Sequence, residues 1–241
     1  MIKKRSYPFT IRSQDVDFMR HATMMTIGNM LLSAADHNAN DNGFGLSRLN
    51  EIQCAWALIR LAVEIDEFPC QYDEITVETW VERVEQFMTT RNFVIRNQSG
   101  SVLGKASSHW VMFDLTTRRL KNLNSFEGMH QYADNHSVLT EEPAKLPHIE
   151  GDVIDVFKTK YSDIDVNGHV NSICYVEWIC NCFPLEFYRK KNIKRFEINY
   201  LNEILFDEKI TISMKEIQPD DFHFEICKND KASCRVRVTF E

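Results

Sequence analysis

Asp163-Ile164-Asp165-Val166-Asn167-Gly168-His169 is the stretch that decides the fold, because the chain contains it in two versions. The other version, Asp15-Val16-Asp17-Phe18-Met19-Arg20-His21, lies 148 residues earlier (163 − 15) and keeps both aspartates and the histidine. Each version precedes an apolar segment whose spacing is typical of a helix. The pattern indicates an internal duplication.

The segments around the two stretches follow one order. Apolar residues recur at helical spacing from Met24 to Ala35, and residues 170–183 are so apolar that we expect a helix buried on most sides. Strand-like alternation then follows at 74–81, 93–96 and 105–113 in the first half, and at 209–215, 222–226 and 234–240 in the second. The sequence therefore predicts an α+β fold in which an antiparallel sheet wraps a central helix, present twice.

Domain boundaries follow from this repeat. We expect a first domain at 1–132, a linker at 133–152 that contains Pro143 and Pro147, and a second domain at 153–241. The N-terminal residues carry basic side chains but no following apolar run, so neither a signal peptide nor a membrane span is indicated, and the cytoplasm is the expected location.

Composition excludes several classes of function. A net charge of −7 argues against a general nucleic-acid binder. The seven cysteines are odd in number and scattered, and most have apolar neighbours, which predicts small reduced core residues. Cys180 and Cys182 lie in the predicted helix, where residues two apart do not share a face, so no metal or disulfide site is expected.

The second stretch carries the residue types needed for acyl hydrolysis. Capping of the helix explains one or two polar residues, yet Asp163, Asp165, Asn167, His169 and Asn171 alternate over nine positions. An extended approach to the helix would place Asp165, Asn167 and His169 on one side. Backbone N–H groups near Gly168 and His169, at the expected helix start, would hold the oxyanion. We therefore expect water-mediated attack on an acyl group.

The first stretch has lost part of this set. Met19 stands at the position of Asn167, Arg20 at that of Gly168 and Thr23 at that of Asn171. Because a methionine cannot orient a water, the first copy is expected to be catalytically silent. Met19, Met24, Met25 and Met30, together with Trp56, are expected to line a flexible apolar acyl-binding tunnel, with ordinary core packing as the alternative.

Asp163-x-Asp165-x-Asn167-x-His169-Val170-Asn171-x-x-x-Tyr175-x-x-Trp178 resembles the signature of the acyl-ACP thioesterases of plant plastids and bacteria. Glu197-Ile-Asn199-Tyr200-Leu-Asn-Glu203 resembles a later acidic segment of that family, and further similar segments lie in the first half, such as Asn42-Gly-Phe-Gly45 and Thr79-Trp80-Val81. The resemblance covers nearly the whole chain. It implies two tandem hot-dog domains and hydrolysis of the thioester of fatty acyl-ACP without a cofactor or metal.

The resemblance also implies roles for residues. It places Asp165, Asn167, His169 and Glu203 at the catalytic positions. Our hypothesis is that Asp165, with Glu203 helping, positions and deprotonates the attacking water. Plant members often carry a cysteine directly after the acidic residue, where this chain has Ile204, so a cysteine nucleophile is not expected there. Attack by water and attack by a carboxylate both stay open. The implied partner is an acyl carrier protein, and a homodimer is compatible with the resemblance.

The carrier protein is acidic, and so is this chain, so local basic patches would have to steer it. Candidates are Arg118-Arg119 with Lys121, Lys158 with Lys160, and Arg189-Lys190-Lys191 with Lys194 and Arg195. Two other functions stay open at this point: an acyl-CoA thioesterase, and a non-catalytic acyl-binding or dehydratase-type hot-dog protein. Acyl-chain length cannot be read from the sequence.

Overall fold

The computed structural model describes residues 3–126, 128–139 and 141–241, and the chain forms two compact units that divide between Pro143 and Ala144. The first unit contains, in chain order, β1 (Arg5–Thr10), α1 (Met24–Asp41), α2 (Leu46–Glu51), β2 (Cys54–Ile65), β3 (Glu74–Val84), β4 (Thr89–Asn97), β5 (Val102–Asp114) and the short β6 (Arg119–Leu120). Two 3₁₀ turns, Leu123–Ser125 and Met129–Tyr132, follow.

The second unit repeats this plan. It contains β7 (Asp152–Lys158), a 3₁₀ turn (Tyr161–Asp163), α3 (Ser172–Cys180), α4 (Leu185–Tyr188), β8 (Ile193–Tyr200), β9 (Lys209–Gln218), β10 (Asp221–Lys228) and β11 (Lys231–Phe240). The strands predicted from alternation are all present, whereas β1, β2, β6, β7 and β8 carry no sequence prediction.

The strand order confirms the duplication. In the first unit the antiparallel order is β1-β3-β4-β5-β2, and in the second it is β7-β9-β10-β11-β8. In both units the first strand is followed by the long helix and then by the strand at the opposite edge of the order. The expectation of an α+β arrangement, with one helix against an antiparallel sheet in each half, is therefore confirmed.

Each long helix is held by its apolar face. In α1 the side chains of Ile27, Leu31 and Ala34 are fully buried. In α3 Trp178 packs edge-on against Phe157 of β7, and Tyr175 packs edge-on against Tyr200 of β8. α3 is buried on most sides as predicted, but it spans Ser172–Cys180 and not 170–183. Removal of such rings from a core costs about 3–5 kcal/mol.

Polar side chains hold the irregular segment between the units to the sheet of each unit. In the first unit His136 O accepts hydrogen bonds from Trp80 Nε1 and Asn92 Nδ2, both at 2.8 Å, and Arg83 forms a bidentate pair with Glu142. Trp80 and Asn92 are buried, so His136 O supplies an acceptor to donors that water does not reach. The segment in this unit is thus fixed by specific bonds.

The second unit fixes its part of the segment in the same way. Asn199 Nδ2 donates to Ala144 O at 3.0 Å, while Asn199 Oδ1 accepts the N–H of Leu146 at 2.9 Å. Glu197 Oε1 accepts the N–H of Ala144 at 2.6 Å, and Arg235 donates to Leu146 O. Asn199 therefore acts as a side-chain substitute for a paired strand.

The cysteine prediction holds only in part. All seven thiols are free, but only Cys54 and Cys234 are buried, and Cys70 is exposed. Cys182 lies beyond the end of α3, so the premise that both Cys180 and Cys182 lie in the helix, which was used to argue against a metal or disulfide site there, was wrong. Among the helices of the described residues, none is both long and apolar enough to cross a membrane.

Replacement of Asn199 with Ala should release residues 144–146 locally. The Leu146 amide loses its acceptor and should exchange its hydrogen faster in native-state hydrogen exchange, because exchange follows local opening. Asn202→Ala is the matched control, since Asn202 Nδ2 donates to Ala232 O elsewhere in the same unit. Unchanged protection of Leu146 in Asn199→Ala would contradict the anchoring role.

Candidate active site

The 163–169 motif of the second unit is folded into a tight turn. Ile164 and Val170 form an antiparallel bridge, Asp165 N–H donates to His169 O at 2.8 Å, and Gly168 N–H donates to Asp165 O at 3.0 Å. Gly168 has φ +78°, the left-handed conformation that glycine adopts without strain. The turn is therefore closed by the hydrogen bond between Asp165 and His169 and by the bridge between Ile164 and Val170.

The carboxylate of Asp165 organises the interior of this turn. Its Oδ1 accepts the N–H groups of Asn167 at 2.8 Å and of His169 at 3.4 Å, and its Oδ2 lies 3.3 Å from Asn167 Nδ2. The second oxygen accepts no backbone N–H group in the described residues. One oxygen of Asp165 thus stabilises the turn, and the other faces the side-chain amide of Asn167.

The first unit repeats the turn bond for bond. Asp17 N–H donates to His21 O at 2.8 Å, Arg20 N–H donates to Asp17 O at 3.1 Å, and Asp17 Oδ1 accepts the N–H groups of Met19 and His21. Each turn then leads into an N-cap side chain, Thr23 for α1 and Asn171 for α3. In both units the fold therefore accounts for the presence of the aspartate of the turn and of the N-cap residue of the helix.

Two details of the sequence prediction were wrong. Residues 165–169 are not an extended approach to the helix, because the turn brings Asp165 and His169 back against each other. The N–H groups of Gly168 and His169 are not at the helix start either, since α3 begins at Ser172 and both groups donate to Asp165. They are consequently engaged within the turn and are not free to hold an oxyanion.

Glu203 reaches the turn from the segment after β8. Its Oε2 lies 3.4 Å from His169 Nε2, and the backbone supports the approach because Val170 N–H donates to Ile204 O at 2.9 Å. The His169 side chain is 32% exposed and that of Glu203 is 58% exposed, so water reaches both groups. A carboxylate beside one ring nitrogen orients the imidazole and leaves the other nitrogen for proton transfer.

Of the residues proposed for chemistry, the aspartate and the histidine are present in both turns, and the amide is present only in the second. Asn167 and Glu203 bring an amide and a second carboxylate to the second turn, whereas the first turn has Met19 at the amide position. Arg20 has φ 67°, the same left-handed region as Gly168, where a non-glycine residue is strained and glycine is not. The structure places Asp165 beside Asn167 and His169 beside Glu203, and their catalytic roles stay a prediction.

Cysteine chemistry has no suitable group at this turn. Ile204 is fully buried, and the thiol of Cys174 on α3 donates to Asp163 O at 3.6 Å. Burial, together with the neighbouring carboxylates, raises the pKa of Cys174 to about 11. The Cys174 thiol therefore remains protonated near neutral pH and is a poor nucleophile.

The predicted acyl-binding residues occupy different settings in the first unit. Met24 and Met30 are buried on α1, and Met25 is half-buried on the same helix. Met19 is not on the helix, which begins at Met24, but in the first turn. Trp56 packs beside Ala39 and Phe44, and its Nε1 donates to Phe44 O at 3.2 Å. Their contact with an acyl chain stays a prediction.

Two residues near the turn, Thr159 and Tyr200, were given no role from the sequence. Thr159 is buried and its hydroxyl donates to Leu205 O at 2.7 Å, which fixes the segment that carries Glu203. The Tyr200 hydroxyl donates to Ser172 O at 2.8 Å at the start of α3, and burial raises the Tyr200 pKa well above its usual value. Both act across long sequence separations that no local pattern reveals.

Within the described residues, no group of three or more His, Cys, Asp or Glu is arranged to hold a metal ion.

Two family models match successive parts of this chain. The acyl-ACP thioesterase N-terminal domain matches residues 3–125, and the acyl-ACP thioesterase C-terminal domain matches residues 147–241. The chain belongs to the acyl-ACP thioesterase family. The family assignment agrees with the resemblance drawn from the motif of the second turn.

Solved structures support the same conclusion. A crystal structure of an acyl-ACP thioesterase from Bacteroides thetaiotaomicron is 39% identical, covers 99% of this chain and 98% of its own, and superposes with a TM-score of 0.93. The 12:0-ACP thioesterase from Umbellularia californica has a TM-score of 0.89 at 23% identity, covering 100% of this chain and 98% of that chain, and shows the shared fold. The tandem hot-dog fold is thereby confirmed.

Curated plant relatives are longer than this chain. A chloroplastic dodecanoyl-[acyl-carrier-protein] hydrolase from Cinnamomum camphora is 30% identical over 83% of this chain and 56% of its own length. The chain spans between half and three fifths of the length of such curated relatives.

Gly168→Ala should destabilise the protein through the backbone alone. A Cβ at Gly168 meets nothing within 4 Å, so the cost is that of a left-handed non-glycine residue, about 1 kcal/mol, or a Tm lower by about 2–4 °C. Arg20→Gly is the reciprocal variant and should raise Tm, because it relieves the same strain in the first turn. Thermal unfolding followed by circular dichroism measures both, and equal signs for the two shifts would contradict this explanation.

Proposed function

We propose that this protein hydrolyses the thioester of a fatty acyl group carried by an acyl carrier protein, releasing the free fatty acid and the carrier thiol. The observation that carries the proposal is the turn that assembles Asp165, Asn167, His169 and Glu203 in a member of this family. The first unit keeps the turn but not the amide, which is consistent with a single reacting site in the second unit.

The proposed reaction is attack by water on the thioester carbonyl. Asp165 Oδ2, the oxygen that the turn backbone does not use, takes the proton from the attacking water. Asn167 orients this water, and Glu203 holds the His169 ring so that the imidazole contributes to proton transfer. The carbon–sulfur bond then breaks, and the leaving thiolate takes up a proton. General acid–base groups of this kind contribute about 10²–10⁴-fold to rate.

The acyl chain is proposed to bind in the first unit. Met24 and Met30 on the buried face of α1 supply flexible apolar surface, and Met19, Met25 and Trp56 lie in the same unit. A preferred chain length follows from the depth of such a site, and a panel of acyl-ACP substrates of different length and saturation measures it. Location in the cytoplasm and assembly as a homodimer remain predictions.

Asp165→Asn should abolish turnover, while Asp17→Asn should leave it near that of the wild type. Both substitutions weaken the hydrogen bonds that an aspartate carboxylate accepts from two backbone N–H groups of its turn, so their effects on stability should be similar. Only Asp165 is proposed to take a proton, so release of thiol from acyl-ACP should fall by about 10²-fold or more in Asp165→Asn alone. A chromogenic thiol reagent and thermal unfolding measure the two quantities.

If both variants lose turnover in proportion to their loss of stability, Asp165 acts only in the fold. His169→Ala and Glu203→Gln then separate the remaining groups, since each leaves the turn backbone intact.

The carrier is tested by direct comparison of thioesters with one acyl chain. We expect a higher kcat/KM for acyl-ACP than for acyl-CoA, because relatives of this chain are named as acyl-carrier-protein hydrolases. A higher value for acyl-CoA would favour the rival thioesterase. Absence of thiol release from either substrate, with tight binding of the acyl chain, would favour a non-catalytic binding protein.

A further inference from the structure

A basic edge lies beside the proposed catalytic turn, at the point where β7 ends and β9 begins. The register of these two strands places Lys158 directly opposite Lys209. Lys160 follows two residues after Lys158, and the side chains of all three lysines are exposed. Like charges directly opposite one another destabilise a sheet. The fold itself gains nothing from this arrangement.

The charge of the basic edge is only partly neutralised. Lys158 Nζ lies 2.8 Å from Asp207 Oδ1. Neither Lys160 nor Lys209 forms an ion pair with the residues that the structure describes. By contrast, the basic segment 189–195 is largely occupied: Lys191 pairs with Asp220, Lys194 with Glu241, and buried Arg195 with Glu197. Arg118 and Arg119 lie in the unit that lacks the intact motif.

Exposed apolar side chains surround the same turn. Tyr161 is 91% exposed, Val166 at the tip of the turn 101%, and Phe206 61%. They are carried by two segments that are joined to each other, since Val170 N–H donates to Ile204 O and Thr159 binds both Leu205 O and Glu208. Large exposed apolar side chains held in fixed positions are typical of a contact surface for a protein.

We propose that Lys158, Lys160 and Lys209, together with Tyr161, Val166 and Phe206, form the surface on which the acidic carrier protein docks. This inference rests on the proposed function and assigns the carrier to one of the three basic segments. The lysines supply complementary charge to an acidic partner, and the apolar side chains supply the desolvated centre of the contact. This surface adjoins the turn, because Lys160 and Tyr161 lead into it and Thr159 is bonded to the segment that carries Glu203, so we expect a thioester arm of the docked carrier to reach His169.

Charge reversal at the two unpaired lysines tests the docking surface. Lys160→Glu/Lys209→Glu should lower kcat/KM for acyl-ACP by about tenfold or more, mainly through KM, and flatten its dependence on ionic strength. Hydrolysis of acyl-pantetheine, which has no carrier protein, should stay within about twofold of the wild type. The matched control is Lys145→Glu/Lys190→Glu, which changes two exposed lysines of the same unit by the same charge and should retain activity on acyl-ACP.

Several outcomes would overturn the docking surface. They are an equal loss of kcat/KM on acyl-ACP in both double variants, a loss of kcat/KM on acyl-pantetheine or on acyl-CoA as large as that on acyl-ACP, or no loss on acyl-ACP. A wild-type dimer in analytical ultracentrifugation that Lys160→Glu/Lys209→Glu dissociates would instead assign the surface to a second copy of the chain. Failure of the proposed function differs from all of these, because the wild type itself would then release no thiol from either acyl-ACP or acyl-pantetheine.

Discussion

The bond on which the site depends is the one between an aspartate carboxylate and the backbone N–H groups of its own turn. Asp165 Oδ1 accepts two such groups, and this contact decides where Asn167 and His169 point. Without it the turn would have to satisfy those groups with water, and the side chains would lose their shared orientation. Asp17 makes the same contact in the first unit, so the shape of the turn does not depend on Asn167 or Glu203.

Much of the fold follows from sequence because its signals are local. Helical spacing predicted α1 and α3, and alternation predicted six of the strands, since each of these elements buries one face. β8 had no such signal, because polar Glu197 and Asn199 are buried to bind the backbone of residues 144–146. β7 is almost wholly exposed and contains a register shift between Val153 and Asp155, so its alternation is broken.

The site was predictable in its residues but not in its geometry. Alternating polar residues suggested an extended segment, yet bonds between Asp165 and residues two to four positions later close a turn. Glu203 came from resemblance, and its distance to His169 required the pairing of Val170 with Ile204, which no local pattern encodes. The roles of Thr159 and Tyr200 depend on contacts with residues 46 and 28 positions away.

The shared strand order of the two units has an evolutionary consequence. Each unit buries its own helix against its own sheet, and the turn that leads into the helix needs only an aspartate and a helix cap. Once the gene had duplicated, selection on chemistry could lapse in one copy while selection on folding continued. On the proposal of a single reacting site, Met19 and Arg20 mark the copy in which only folding is under selection, since both keep their backbone hydrogen bonds to Asp17 although Arg20 has a positive φ.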